Sequence, residues 1–409
     1  MDVKIKNKSL KIIEITEGKI CNHCLGRKFS QDIEGPGNEL RGQKIRNLMD
    51  LTDKHLPVED NCSICGCIFQ TLNLLADTIE SKIESLDLEF FSFLVGSILT
   101  PELIQKDDEL SEKLDIEVES IKKELNRELG KILESRWKKE VDFDSPNLVI
   151  MVDLKQKAPK VRIQINPLFL EGRYRKLVRG IPQTKWPCRK CRGKGCEYCN
   201  FTGKMYSESV EELISAPVLE MSHSRDSKFH GAGREDIDVK MLGTGRPFVL
   251  EIKEPRRRNL DLDTLQKDIN KSAEGKVEVL DLKYSFRSRK AEIKTSSPDT
   301  YKIYQAFVEL EDEISTEQLN DLQNLQIIQQ RTPIRVSHRR ADKIRTREVM
   351  NIKGKIISPK CLELIIKGQG GLYIKELISG DEERTQPNVS QIFGVAARCL
   401  TLNVLEVGS

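Results

Sequence analysis

The chain has 409 residues, 38% of them hydrophobic and 32% charged, with a formal net charge of +3. Those figures exclude a disordered chain poor in apolar residues and predict a globular protein of two or three domains. No run of about 18 apolar residues is present to span a membrane, and the first twenty residues lack the apolar stretch of a secretion signal, so a cytoplasmic protein without a membrane partner is expected.

In chain order, residues 1–70 carry two spaced pairs of cysteines, Cys21/Cys24 and Cys62/Cys65, and read as a small metal-stapled module. Residues 70–141 read as helical: Ile104, Leu110, Leu114, Ile121, Leu125, Leu129 and Ile132 recur at helical spacing among Glu and Lys. Asn147–Leu154 and Lys160–Leu170 read as a hairpin around the turn-prone Gln156–Pro159. A basic connector with a second cysteine cluster follows, to about residue 206.

From Ser207 onward, Val239–Met241, Phe248–Ile252, Val277–Tyr284, Tyr304–Leu310, Ile334–Val336, Glu348–Lys355 and Glu363–Lys367 read as strands. Leu260–Ala273 and Thr316–Ile328 read as helices between them. Interspersed short elements predict an α+β catalytic domain over 207–409 with a mostly antiparallel sheet.

The charge is unevenly spread. Gly172–Lys194 holds nine Lys/Arg and no acid, and Arg331–Arg347 holds seven against the single acid Asp342. Basic stripes in a near-neutral chain are the footprint of a polyanion site, although most charge runs are solvated faces. Arg173, Arg175, Lys176, Arg335, Arg339 and Arg340 are the residues in these stripes expected to meet the polyanion.

Eleven cysteines without an export signal point to metal rather than disulfides. In Cys21-Asn-His-Cys24 and Cys62-Ser-Ile-Cys65 each C-x-x-C turn offers two sulfurs, and a glycine soon after releases the chain from the turn. Structural zinc is the expected ligand; redox dithiols or unliganded thiols are the alternatives, and Cys67 is a spare that could replace Cys65. Cys188, Cys191, Cys196 and Cys199 can close on a second ion, with an iron–sulfur cluster or labile dithiols as alternatives. One or two zinc ions are expected, with no organic cofactor. Four thiolates leave no open position, so both sites read as structural. Cys361 and Cys399 read as core residues.

The densest chemistry lies in MSHSRDSKFHGAGREDIDVKMLGTGRPFVLEIKEPRRR, residues 221–258. A glycine turn (Gly231, Gly233) delivers Arg234-Glu235-Asp236 to the start of a strand, although a lone Gly-x-Gly is weak evidence. This segment resembles the catalytic motif of the archaeal and eukaryotic tRNA pseudouridine synthase family that acts on uridines 54 and 55 of the TΨC arm: Gly-Arg-Glu-Asp-x-Asp-Val, then Met-Leu-Gly and Gly-Arg-Pro-Phe. CNHCLGRKF, GRYRKLVRGIPQTKWPC, SVEELI, RTPIRVSHRRAD and LYIKELISGDEERTQPNVSQIFG are similar to it as well, so the resemblance covers nearly the whole chain.

That resemblance implies a zinc-stapled, THUMP-like RNA-binding region, with 71–175 as its helical and THUMP-like part, ahead of a pseudouridine synthase catalytic domain. It implies tRNA as the partner, and no protein partner is called for. Asp236 is the implied catalytic aspartate, with Asp238 the alternative, attacking ribose C1′ or uracil C6. Lys375 is the implied cation beside it, unless it is a plain surface lysine. Tyr304 would lie against a flipped-out base, with Tyr301 or a core aromatic role as alternatives, and Tyr373 and Arg234 would also meet the substrate. His223, His230 and His338 read as RNA contacts or surface residues. Leu372 is a departure, since the family more often has Thr before Tyr-Ile-Lys. A non-catalytic zinc and RNA adaptor would have no use for Asp236, Tyr304 and Lys375 together. A methyltransferase or thiolase would want a glycine loop leading into a helix.

Overall fold

The computed structural model describes residues 3–35, 37–50, 61–156, 158–295 and 300–408. The chain divides into two compact units, Met1–Asn166 and Pro167–Ser409.

In the first unit, the helices Asn22–Lys28 and Asn38–Asp50 meet backbone to backbone. A Cβ on Gly26 would fall 1.8 Å from Asn38 O, and one on Gly42 would fall 2.1 Å from Asn22 O, so glycine is required at both. The strands are β1 (Ser92–Ile98), β2 (Glu140–Val141), β3 (Leu148–Asp153) and β4 (Lys160–Ile165), in the order β2-β1-β3-β4, with β1 parallel to β2 and β3. The β3–β4 pair is the hairpin foreseen, but its second strand ends at Ile165, and Leu168–Leu170 open a separate strand of the second unit. The helices Pro101–Leu114 and Ile121–Trp137 are capped by Thr100 and Ser120 and bury Leu110, Ile121, Leu125 and Leu129; Ile104 faces out. β1 corrects the all-helical reading of 70–141. Ser92–Ile98 is a short apolar run, and periodicity cannot tell a buried strand from a buried helix turn.

The second unit holds β5 (Leu168–Lys176), β6 (Asp226–Gly231), β7 (Val239–Lys253), β8 (Val277–Ser285), β9 (Tyr301–Leu310), β10 (Ile327–Arg331), β11 (Ile344–Ser358), β12 (Cys361–Gln369), β13 (Thr385–Gln386) and β14 (Ala397–Val407). They form one sheet in the order β13-β10-β11-β12-β9-β14-β7-β5-β8, with β6 on β7. Every pairing among the described residues is antiparallel except β14 with β7, so the sheet is mixed.

Two expected elements differ. Ile334–Val336 is not a strand: after Pro333 the chain winds into a 3₁₀ helix, Ile334–Arg339, with the Ser337 hydroxyl donating to Ile334 O. Thr316–Ile328 is not one helix but a 3₁₀ turn, Gln318–Asn324, followed by β10. Leu322 and Leu325, three apart, are both buried, which suits the three-residue repeat of a 3₁₀ turn. In β10, Ile328 and Gln330 alternate inward as a strand requires. β14, which sequence reading passed over, joins β9 to β7 and thereby seats the site below.

Candidate active site and metal centres

The turn from β6 to β7 carries the site. Gly233 has φ +81°, a left-handed backbone that L side chains rarely adopt. From there Arg234, Glu235 and Asp236 part ways. Glu235 is buried; Tyr174 Oη donates to both its carboxylate oxygens at 2.9 Å, and Arg246 Nε lies 2.8 Å from Oε2. Gln183 Nε2 donates to Gly233 O at 3.0 Å. Lys176 Nζ donates to the carbonyls of Ile181, Asp236 and Ile237 at 3.1, 3.1 and 3.2 Å. With its neighbours anchored inward, Asp236 lines a cleft of about 730 Å³, and the Arg234 guanidinium sits outward, 5.0 Å from the Trp186 ring centre.

Two cations face Asp236. Arg335 Nη1 lies 2.7 Å from its Oδ2, whereas Lys375 Nζ is 3.8 Å away. Lys375 donates instead to Asp238, at 2.7 and 2.9 Å. Arg335 is itself fixed by the buried Glu376, with Nε 2.5 Å from Oε1. Lys375, expected as the cation beside Asp236, thus stays within ion-pair range of it while bonding Asp238, and Arg335, expected in the phosphate stripe, is the nearer cation. Tyr373 caps the helix Ile374–Ser379, and its hydroxyl accepts from Arg340 at 3.0 Å. Tyr304 lines the same cleft from β9 and is nearly buried; burial pushes its phenol up to about 12.

Of the first basic stripe, Lys176 is fully buried and its three donors are taken, so it is no surface contact for RNA. Arg173 donates to the carbonyls of Thr244, Gly245 and Val407, and Arg175 to Gly243 O and Glu278. Both pin the bend of β7 rather than presenting free charge. In the second stripe, Arg340, Arg345 and Arg347 line the cleft; the side chain of Arg339 lies outside the described residues. Sequence reading missed Glu235, Arg246, Lys302 and Glu376. Glu235, Arg246 and Glu376 stand inside the quoted Arg-Glu-Asp, Gly-Arg-Pro-Phe and Tyr-Ile-Lys-Glu segments, but their burial is not written there. Lys302 stands two residues before Tyr304, which was marked without it.

The cysteines gather as two groups of four, Cys21/Cys24/Cys62/Cys65 and Cys188/Cys191/Cys196/Cys199, each with its sulfurs within 4.8 Å of one another, and each could hold a metal ion. Cys21 Sγ is 3.6 Å from Cys65 Sγ; in the second group the spacings include 3.7, 3.8 and 3.9 Å. Cys67 stays outside the first group, and its sulfur accepts from Cys62 N at 3.1 Å.

Residues 169–408 match the family model described as Pus10, C-terminal, and residues 75–153 match the Pus10 THUMP domain, archaeal. A protein of Methanothermobacter marburgensis named tRNA pseudouridine synthase Pus10 is 57% identical over 397 residues, 97% of each chain. One of the same name from Methanosphaera stadtmanae is 46% identical, over 88% of this chain and 93% of that one. Among solved structures, a Cbf5-Nop10-Gar1 complex aligns at 16% identity with a TM-score of 0.30, over 48% of this chain and 45% of that chain.

Proposed function

We infer the activity from a family premise: this chain belongs to the Pus10 family of tRNA pseudouridine synthases. It is an enzyme that isomerises uridine to pseudouridine in tRNA, and we place its targets at position 54, 55 or both in the TΨC arm. The C1′–N1 bond breaks, the base turns, and C1′ rejoins it at C5. Asp236 is the residue assigned to this step, because a carboxylate can serve as both nucleophile and leaving group. Attack at C1′ or at C6 makes the same demand on it.

The observation that carries the assignment is the contrast within Arg234-Glu235-Asp236. Glu235 is buried and consumed by Tyr174 and Arg246, while Asp236 faces the cleft with Arg335 at 2.7 Å. Glu376 holds Arg335 before any substrate arrives, so the charge beside Asp236 is preorganised. A uridine must leave its stack to enter the cleft, where Tyr304 offers a flat apolar wall and Tyr373 and Arg234 stand at the opening. Lys375 orders the Asp238 side of the loop. Arg340, Arg345 and Arg347 supply positive charge for the tRNA backbone.

Zinc is the ion we assign to the cysteine groups. A tetrahedron with Zn–S of about 2.3 Å has an S···S edge of about 3.8 Å, and the spacings of 3.6–3.9 Å support it; a disulfide needs about 2.05 Å. Both sites would be structural. In this reading the zinc-knuckle module and THUMP region bind tRNA, the 176–206 segment carries the second zinc, and the cytoplasm is the site of action. Among the described residues no helix is long and apolar enough to cross a membrane.

The test is single-turnover pseudouridine formation in unmodified tRNA, with tRNA binding measured in parallel. Asp236→Asn should lose on the order of 10⁴-fold in rate at nearly unchanged affinity, while Asp238→Asn should keep turning over. Normal turnover by Asp236→Asn, with Asp238→Asn dead, would move the assignment to Asp238. A wild-type chain that binds tRNA but never modifies it would favour a binding adaptor.

A further inference from the structure

We propose that Lys302 is a substrate-binding residue of the catalytic step: its ammonium donates to a carbonyl oxygen of the flipped uracil and holds the base while it is detached from the ribose. The proposal rests on the reading of the cleft as a pseudouridine synthase site.

Among the described residues three buried lysines can be compared. Lys28 Nζ has three acceptors, Asp107 Oδ1 at 2.6 Å, Ser111 Oγ at 2.7 Å and Asp107 O at 3.1 Å. Lys176 has the three carbonyls given above. Lys302 is 8% exposed and has no hydrogen-bond or ion-pair partner among the described residues. Ammonium groups are not buried unpaired without a reason, because lost hydration must be replaced. Among the described residues only the field of the Glu235 carboxylate offsets that loss. Arg246 repels the ammonium, and the nearby Glu235 is already engaged by Arg246 and Tyr174. Lys302 lines the cleft and its ammonium opens onto it, so water there hydrates the charge until a bound ligand displaces that water and must offer an acceptor in its place.

Position gives the chemistry of that partner. Lys302 and Tyr304 share one face of β9, two residues and about 6.6 Å apart along the strand. A base laid against Tyr304 therefore brings its edge toward Lys302. Uracil offers the two carbonyl acceptors O2 and O4. When the C1′–N1 bond breaks, its electron pair leaves with N1, and the charge spreads onto those oxygens. C5 then returns an electron pair to C1′, the C5 proton is lost and N1 gains one, so the isomerisation consumes nothing else. An ammonium at O2 or O4 binds more tightly as that charge grows, so its binding energy appears in the transition state. Tyr304, with its phenol pushed up to about 12, stays neutral and does not repel the anion. The charged and titratable groups facing Lys302 are Arg246 of β7, Glu235 of the β6–β7 turn and Tyr304. Its cross-strand neighbours Gly368 and Val407 carry no charge, and Arg345 and Arg347 of β11 line the same cleft.

The experiment uses the full chain and tRNA transcripts. Lys302→Met should slow single-turnover pseudouridine formation about 10²-fold, with tRNA affinity within twofold of wild type. Its melting temperature should not fall, because an unpaired buried charge has been removed. Lys302→Arg should recover part of the rate. Burial pushes Lys302 down to about 8, so the wild-type rate should decline above about pH 8 while Lys302→Arg holds its rate, arginine remaining charged. Lys302→Met within threefold of the wild-type rate overturns the proposal. So does a lowered melting temperature with Lys302→Arg no faster than Lys302→Met, the signature of a structural lysine. A wild-type chain that makes no pseudouridine in any tRNA overturns the proposed function and this inference with it.

Discussion

Lys176→Met separates two jobs that sequence alone cannot distinguish for a lysine in a basic stripe. In the structure its ammonium is 0% exposed and donates to Ile181, Asp236 and Ile237. Each bond from a charged donor contributes roughly 1.5–3 kcal/mol, and each stranded carbonyl is costly in its own right. Against that stands the burden of burying the charge. Burial pushes Lys176 down to about 8 from its ordinary 10.5, a depression equivalent to about 3 kcal/mol. The balance is a net destabilisation of about 3 kcal/mol at pH 7.

The pH dependence has a definite sign. With the folded pKa below the unfolded one, the unfolded chain binds the extra proton between pH 8 and 10.5. Wild-type stability relative to the variant should therefore rise across that window. The loop carrying Asp236 should also shift, and a displacement on the 1 Å scale slows chemistry about 10²-fold. Denaturant melts at several pH values, single-turnover rates and salt-dependent tRNA binding test all three expectations. Refutation would be a Lys176→Met chain of wild-type stability and rate that binds tRNA more weakly, with a salt slope reduced by about 1, the behaviour of a phosphate contact.

Arg335→Met should reduce the single-turnover rate about 10²-fold with little change in tRNA affinity, since its charge is spent on Asp236 and Glu376; a loss confined to affinity would return it to the phosphate stripe. Purified protein should carry close to two zinc ions per chain by elemental analysis, and chelation should lower its melting temperature; metal-free protein of unchanged stability would refute both sites. In the first unit, Glu124→Gln should destabilise by about 3 kcal/mol, because Arg27, 0% exposed, would keep only Asp107 as a full counter-charge and His23 would lose its 2.9 Å carboxylate partner; a loss below about 0.5 kcal/mol in urea melts would refute it. Burial pushes the Asp107 carboxyl up, but Arg27 and Lys28 outweigh it and hold it below its ordinary 3.8, so its contribution should be full above about pH 4 and lost on further acidification.

The sequence by itself determined what short spacings encode. Each C-x-x-C turn brings its own two sulfurs within reach of one ion, and each four-cysteine group foreseen is gathered in the structure, although Cys21 and Cys65 meet across 44 residues. The glycine turn before Arg234-Glu235-Asp236 and the amphipathic stripe from Ile104 to Ile132 are local in the same sense; the turn stands where it was expected, and the stripe lies on two helices with Ile104 turned outward. Tertiary structure decided everything that depends on a distant partner. Arg335 reaches Asp236 across 99 residues, and Lys375 reaches Asp238 across 137; which cation meets which carboxylate is set by the packing of the Ile334–Arg339 turn and the Ile374–Ser379 helix beside the loop. A buried Lys176 and a solvated one are the same letter in a basic stripe. Only the pairing of β5, β7, β9 and β14 decides that one lysine, Lys176, faces three carbonyls and another, Lys302, faces an open cleft, because burial and counter-charge belong to the assembled sheet and not to the strand.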